Sequence, residues 1–318
     1  MDRDGIPGRS PGTRLRSLLD TGELIVAPGI FDGLSAHLVR RMGFRAGYLT
    51  GAGVAASGYG LPDIGLVGMA EMADRVAMAA TVLGDIPLIA DADTGYGPPM
   101  SVARTVRAYE RAGVAAIQLE DQAFPKRCGH LPGKELVSTQ AYLAALGAAL
   151  EARTDALIIA RTDARSVLGL SAAIERGNAY AAAGADIVFV EAPRTAEEIA
   201  RIGQEVSAPK LINIVAGGLT PELDPATLTK LGYAIAIYPT TVLMAAAGAA
   251  IEALRALADL AAIPPVPGAL APPAAGTLAP AAAGSPAPPV AGLEDFFRLV
   301  GLDEWFAVSE RWSPDSLA

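Results

Sequence analysis

The chain has 318 residues, 52% of them apolar and 19% charged, a globular composition long enough to bury a sizeable core. Its net charge is −9 with no lysine- or arginine-rich run, which excludes a nucleic-acid footprint and a polybasic membrane anchor. A single cysteine excludes an internal disulfide and points to a reducing, cytoplasmic setting.

Residues 1–13 are rich in Gly, Pro and Arg and read as a flexible N-terminus with no secretory-type apolar segment. From residue 14 to 262, short apolar runs alternate with amphipathic stretches. The runs are Leu24–Ala27, Ala46–Thr50, Pro87–Asp91, Ala115–Glu120, Ala156–Arg161, Asp186–Glu191, Lys210–Ile214 and Ala234–Tyr238. They are short and mostly unalternating, as parallel strands covered on both faces should be. The intervening helices are predicted over Met69–Leu83, Ser101–Ala112, Thr139–Ala152, Ser171–Ala183 and Thr195–Glu205. Two of them close on Ala-Gly pairs (Ala112-Gly113 and Ala183-Gly184) suited to a helix C-terminus. Eight such units predict a (β/α)8 TIM barrel. A doubly wound open sheet is the runner-up, disfavoured because polar residues close many of the runs rather than gathering at one switch point. Leu231–Ile251 is uncharged and long enough to span a bilayer, but Pro239, Thr240 and Thr241 interrupt it, so no membrane span is expected. Residues 263–291 hold nine prolines and read as a Pro/Ala-rich linker. Residues 292–318 return to a helical pattern with an aromatic face that must dock on its own barrel or on a neighbouring subunit.

The chemistry concentrates at the ends of the runs. Glu120 to His130 packs two carboxylates, two cations, the only cysteine and one of two histidines into eleven residues after a buried strand. Unpaired charge there is too costly for a core and belongs at a mouth facing a ligand. Asp91-Ala92-Asp93 would place two carboxylates on one side of an extended segment, where a cation relieves their repulsion. Oxygen ligands without His or Cys favour Mg²⁺ or Mn²⁺; the bland alternative is a turn leading into the next helix. In Lys126-Arg127-Cys128-Gly129-His130, neighbouring positive charge would favour the thiolate; the alternative is a solvated basic turn. Arg161 suits a carboxylate clamp or an ion pair with Glu191. His37, Trp305 and Trp312 read as structural.

In order along the chain, Tyr48-Leu49-Thr50-Gly51-Ala52-Gly53, Gly60-Leu61-Pro62-Asp63, Asp91-Ala92-Asp93-Thr94-Gly95-Tyr96-Gly97, Glu120-Asp121-Gln122, Lys126-Arg127-Cys128-Gly129-His130, Ala160-Arg161-Thr162-Asp163-Ala164 and Tyr238-Pro239 resemble the isocitrate lyase/phosphoenolpyruvate mutase superfamily, in particular its methylisocitrate and 2,3-dimethylmalate lyase branch. The resemblance implies a Mg²⁺-dependent barrel and a tetramer whose C-terminal helices swap between subunits. It implies that Asp91 and Asp93 hold the ion and that Glu120 assists through water. By the same resemblance, Tyr48, Thr50, Gly51, Ala52 and Asp63 border the α-oxyacid end of the substrate. Gly129, Arg161, Glu191 and Asn213 complete the pocket. Cys128 donates a proton to the departing carbon, with Lys126, Arg127 and His130 positioning and polarising it.

The implied reaction cleaves the C2–C3 bond of a 2-hydroxy dicarboxylate to an α-keto acid and a carboxylic acid. Two departures from the branch stand out: Met244 replaces an arginine and Ala216 a glutamate. Both favour a smaller or alkyl-substituted diacid over a tricarboxylate. The proline-rich insertion is a third. The rival expectations are a carboxyphosphonoenolpyruvate-type mutase, an oxaloacetate decarboxylase on the same scaffold, and a barrel that serves only as a binding subunit.

Overall fold

The computed structural model describes residues 10–127, 129, 133–215, 217–263 and 302–311. Eight parallel strands close into one barrel in chain order: β1 (Ile25–Ile30), β2 (Gly47–Leu49), β3 (Leu88–Asp91), β4 (Ala116–Glu120), β5 (Leu157–Thr162), β6 (Ile187–Val190), β7 (Lys210–Asn213) and β8 (Tyr233–Tyr238). β8 pairs back onto β1, with Ile25 opposite Ile235 and Pro28 opposite Tyr238. This is the predicted (β/α)8 barrel. The predicted runs match these strands to within a few residues at each end.

The helices in chain order are α1 (Pro11–Leu19), α2 (Gly33–Arg41), α3 (Gly51–Tyr59), α4 (Met69–Leu83), α5 (Pro99–Arg111), α6 (Thr139–Ala152), α7 (Ala164–Val167), α8 (Leu170–Ala182), α9 (Ala196–Glu205), α10 (Pro225–Lys230), α11 (Thr241–Leu260) and α12 (Leu302–Arg311). α4 and α6 have the bounds read from the sequence. Side-chain caps explain several starts. Ser138 Oγ accepts from the Ala141 amide, Thr195 Oγ1 from Glu198 and Asp32 from Ser35.

The strand repeat of two residues sorts the side chains. Ile25, Ala27, Tyr48, Ile89, Ala116, Leu157, Ile159, Ile187, Phe189, Leu211, Ile235 and Ile237 come from all eight strands and form one buried cluster, the barrel's interior. The residues between them face outward against the helices. One further step of two along the strands leads from this apolar filling to Asp91, Gln118, Arg161, Glu191 and Asn213, and a second step on β4 leads to Glu120. A polar layer therefore crowns an apolar plug at the C-terminal ends.

The N-terminus differs from the expectation of a flexible segment through residue 13. Pro11 opens α1, and Gly12 and Leu15 are buried. The cause is Asp155, at the start of β5, whose carboxylate accepts from the Gly12 amide at 2.6 Å and from Ser10 Oγ at 2.6 Å. A Gly/Pro/Arg composition does not show that partner, which lies 143 residues away.

At the other end, the uncharged stretch Leu231–Ile251 divides into the buried strand β8 and the beginning of α11. α11 is long and apolar enough to cross a membrane by length and composition. Val242 and Leu243 seat its first turn on the barrel, but none of its residues is buried. Leu254, Leu257 and Leu260 are 64%, 58% and 83% exposed. Residues 264–291, most of the expected linker, and the expected helical positions Leu293–Val300 lie outside the described residues, as does Trp312. Trp305 falls within α12.

Replacing Asp155 with Ala removes the acceptor that ties α1 to the barrel floor, at a cost of about 1–3 kcal/mol. Urea unfolding should show that loss. Turnover per folded molecule should stay at the wild-type level, because this is the N-terminal face.

Candidate active site

Every described residue that the sequence assigned to the site, apart from Arg127, lies at the C-terminal mouth. Register explains the core of it: Asp91 pairs with Gln118 across β3–β4, and Glu120 pairs with Arg161 across β4–β5. Tyr48 is buried one layer below and donates to Gln118 Oε1 at 3.1 Å. Gln118 Nε2 in turn donates to Asp91 Oδ1 at 3.3 Å. Burial first, then the negative charge of Asp91, pushes the Tyr48 phenol well above its ordinary range. It keeps its proton and acts as a donor rather than a base.

Asp91 and Asp93 do converge, but not by strand alternation. Asp93 has left the strand, with φ of 47°, a region that costs a non-glycine residue energy and recurs at functional sites. The turn brings both carboxylates over the first residue of α3. A Cβ on Gly51 would lie 2.9 Å from Asp91 Oδ2 and 3.6 Å from Asp93 Oδ1. Only a residue without a side chain admits the acidic pair there. Thr50 is buried and uses its hydroxyl to cap α3, accepting from the Gly53 amide at 3.2 Å. Ala52 follows in the same first turn.

Lys126 bridges the acidic pair to the neighbouring loop. Its Nζ lies 2.7 Å from Asp93 Oδ1 and also bonds Asp63 Oδ1. Burial alone would depress this lysine, but Asp93, Glu120, Asp91 and Asp63 outweigh it and hold it charged. Asp93 is pushed up to about 7, chiefly by burial, with Lys126 pulling it back and Asp91 adding to the rise.

Arg161 lies inside a ring of acids. Its guanidinium meets Asp163 at 2.9 and 3.1 Å, Glu120 Oε2 at 3.2 Å and Glu191 Oε1 at 3.9 Å. The ion pair with Glu191 is therefore present, but it is the longest of the three. Asn213 Nδ2 donates to Glu191 at 3.3 Å. Glu120 is raised well above the ordinary carboxylate range, first by burial, against the pull of Arg161. Its Oε1 is buried with no hydrogen-bond partner among the described residues.

Arg127 departs from the expected picture. Its backbone is held by Gln122, which accepts from its amide at 2.9 Å and donates to its carbonyl at 2.8 Å. Its side chain is exposed and runs beside Gly133. Cys128 and His130 lie outside the described residues. Gly129, between them, is buried against Glu191 and Arg161. Met244 is exposed on the first turn of α11, and His37 is half-buried on α2.

Sequence reading missed four participants. Gln118 is an interior strand residue, legible from the two-residue step between Ala116 and Glu120. Lys134 is buried and pairs with Asp163 at 2.8 Å. Tyr109 donates to the Asp91 carbonyl at 3.1 Å. Asp121, grouped with Glu120 in the sequence, points the other way. It accepts from Thr162, the Asp163 amide, Arg176 and Tyr180 at 2.7–2.9 Å, a structural anchor under β5.

Among the described residues, no ready-made cage of three or more acidic, His or Cys ligands is formed. The donor set nonetheless suits a hard divalent cation. Six carboxylates (Asp63, Asp91, Asp93, Glu120, Asp163 and Glu191) face three cations (Lys126, Lys134 and Arg161). Apart from the ion pair of Asp93 with Lys126, two buried carboxylate oxygens, Asp93 Oδ1 and Glu120 Oε1, accept no hydrogen bond among the described residues, and a glycine cradle lies beside the Asp91/Asp93 pair.

A parallel barrel with a buried, charge-unbalanced cluster of acids and cations at its strand C-termini defines an enzyme of the TIM-barrel class. The chain belongs to the phosphoenolpyruvate phosphomutase family, whose model matches residues 15–258. It is 48% identical over 246 residues to 2,3-dimethylmalate lyase of Eubacterium barkeri, covering 77% of this chain and 85% of that protein. To 2-methylisocitrate lyase of Aeropyrum pernix it is 44% identical over 253 residues, covering 80% and 82%. Oxaloacetate acetylhydrolase in complex with 3,3-difluorooxalacetate superposes with a TM-score of 0.83 at 37% identity, covering 95% of this chain and 96% of that one. Phosphonopyruvate hydrolase in complex with oxalate and Mg²⁺ superposes at 0.77 with 29% identity, covering 96% and 99%.

The pKa of Asp93 sets a pH dependence. Its value of about 7 lies above the 3.8 of an unperturbed Asp, so the folded state binds more protons than the unfolded chain between those values. Its contribution to stability therefore falls as pH rises through that window and levels off above it. Glu120 has the same sign. Thermal melts of metal-free protein between pH 5 and 7 should show the decline, and Asp93→Asn should flatten it.

Proposed function

We propose that the chain is a Mg²⁺-dependent carbon–carbon lyase that cleaves a 2-hydroxy dicarboxylate of the 2-alkylmalate type to an α-keto acid and a carboxylic acid. The observation that carries this reading is the seating of the Lys126–Gly129 segment on the acid cluster. Lys126 reaches Asp93 and Asp63, and Gly129 rests on Arg161 and Glu191. The sole cysteine belongs to that segment.

Asp91 and Asp93 would hold the ion, with Glu120 behind them. When bound, Mg²⁺ supplies positive charge that lowers the pKa of a substrate hydroxyl and stabilises a developing oxyanion. Mn²⁺ is a chemically compatible substitute. Tyr48 stays protonated and donates to oxygen at the floor of the pocket. Thr50, Gly51 and Ala52 present the start of α3, whose backbone amides face the oxyacid end. Arg161 exchanges a protein carboxylate for a substrate carboxylate, and Glu191 and Asn213 orient it. The hydroxyl proton passes to a carboxylate of the acid cluster, the C2–C3 electron pair passes to C3, and the fragment departs as a carbanion delocalised into its own carboxylate. Cys128 gives its proton to that carbon, with His130 supporting the thiol.

We further propose a homo-oligomer in the cytoplasm, a tetramer by resemblance. The support is α11, whose Leu254, Leu257 and Leu260 are exposed beyond its seated first turn. A second copy would cover them. Sedimentation of the full chain should give a mass several times 32.4 kDa, and charged substitutions at Leu254 and Leu257 should lower it.

Incubation with Mg²⁺ and a panel of 2-hydroxy dicarboxylates should release pyruvate or glyoxylate, and chelation should stop the release. Cys128→Ser should reduce turnover by roughly 10²–10⁴-fold, the usual worth of a positioned acid. Release that ignores this substitution removes the proton donor from the scheme. A new P–C resonance in phosphorus NMR with a phosphonate substrate would favour the mutase alternative.

A further inference from the structure

Lys134 has no part in the reading above, yet it is among the most enclosed cations of the chain, with its side chain 2% exposed. Its Nζ makes two bonds in different directions. One goes to Asp163 Oδ1 at 2.8 Å, on the strand end below; the other goes to the Gly129 carbonyl, in the segment above. Burying an ammonium group is costly unless good partners compensate it, and here both partners belong to the mouth.

The two bonds answer two needs. Gly129 is packed so closely that a Cβ would lie 2.6 Å from Arg161 Nη2 and 2.0 Å from Glu191 Oε1. Such an approach requires something to hold the backbone down, and the Lys134 bond to its carbonyl does so. Asp163 has the second need. Its carboxylate is wholly buried and already engages Arg161 through two bonds. An arginine that alone neutralised a buried Asp could not leave it for an incoming anion without exposing an uncompensated charge. Lys134 is a second counter-ion on the same oxygen that Arg161 Nη2 contacts, Asp163 Oδ1.

We propose that Lys134 is a positioning residue that clamps Gly129 onto the Arg161–Glu191 pair and serves as the standing counter-ion of Asp163, so that Arg161 can turn to a substrate carboxylate. It touches no reacting atom; it acts through Gly129 and Arg161. Part of this rests on the diacid reading, because only an anionic ligand asks Arg161 to change partners. The clamp on Gly129 does not depend on it.

Two measurements on full-length protein separate the parts. The first is the rate at which iodoacetamide alkylates the single cysteine, followed by intact mass without substrate. Lys134→Met should speed it at least about tenfold, because the neighbouring Gly129 loses its tether. The second is steady-state kinetics with the diacid turned over by wild-type enzyme. KM should rise on the order of tenfold or more, with a smaller fall in kcat, because Arg161 is left committed to Asp163. Lys134→Arg, which keeps the charge, should recover most of the KM. Adding Asp163→Asn to Lys134→Met should lower KM again by removing the charge that holds Arg161. If Lys134→Met fails to fold, Lys134→Gln gives the same two readings. A merely structural lysine would lower the melting temperature and leave both KM and alkylation rate unchanged, and that result overturns the proposal. If no diacid is cleaved, the lyase reading fails by itself, while the alkylation rate still decides the clamp.

Discussion

The mouth of this barrel is organised by an excess of negative charge in a place where water cannot screen it. Six carboxylates meet three cations within a few strand ends, and most of them are buried. Charges held this way either find partners or give up their ionisation. The chain does both. Lys126 and Arg161 each serve more than one acid and Lys134 adds a second cation to Asp163, while Asp93 and Glu120 are driven toward the protonated form. A site in this condition is primed to accept positive charge. That is why the reading of a divalent ion and that of a diacid substrate support one another: the ion supplies what the protein withholds, and the diacid supplies the oxygens that the ion shares.

The fold serves that arrangement through a simple repeat. Parallel strands expose the same edge of each unit at one end, and a period of two decides which side chains look inward. Ile89 becomes Asp91, Ile159 becomes Arg161 and Phe189 becomes Glu191 across a single step, from apolar filling to reactive rim. Below them Ile25, Leu157 and Ile235 pack the interior and make the rim rigid. The backbone then departs from regularity where the chemistry needs it. Asp93 and Ala192, which follows Glu191, both take left-handed conformations just past their strands.

Much of this is legible in the sequence. Short unalternating apolar runs could only be buried parallel strands, and carboxylates at their ends had to face a mouth. The polar residues that close β2 to β7 stand out that way, although Gln118, inside β4, does not. What the sequence hid were partners brought together by closure. Asp155 looks like an ordinary loop acid until Ser10 and Gly12 dock on it. Asp121 and Glu120 are neighbours in sequence, but the alternation sends them to opposite faces, one to the helices and one to the mouth. Lys134 was concealed by its surroundings, since a lone Lys after Gly133 gives no periodic signal and its worth depends on Asp163, 29 residues on. Composition misled only at the N-terminus, where proline marked the opening of a helix rather than a loose end.

The knot of hydrogen bonds around Asp155 lies at the opposite pole of the barrel from the acid ring, with the aliphatic plug between them. Durability and selectivity are thus written in separate halves of the molecule. Selection, natural or in the laboratory, can toughen the floor for heat or storage while the rim is reshaped for a new acid, and the two campaigns need not interfere.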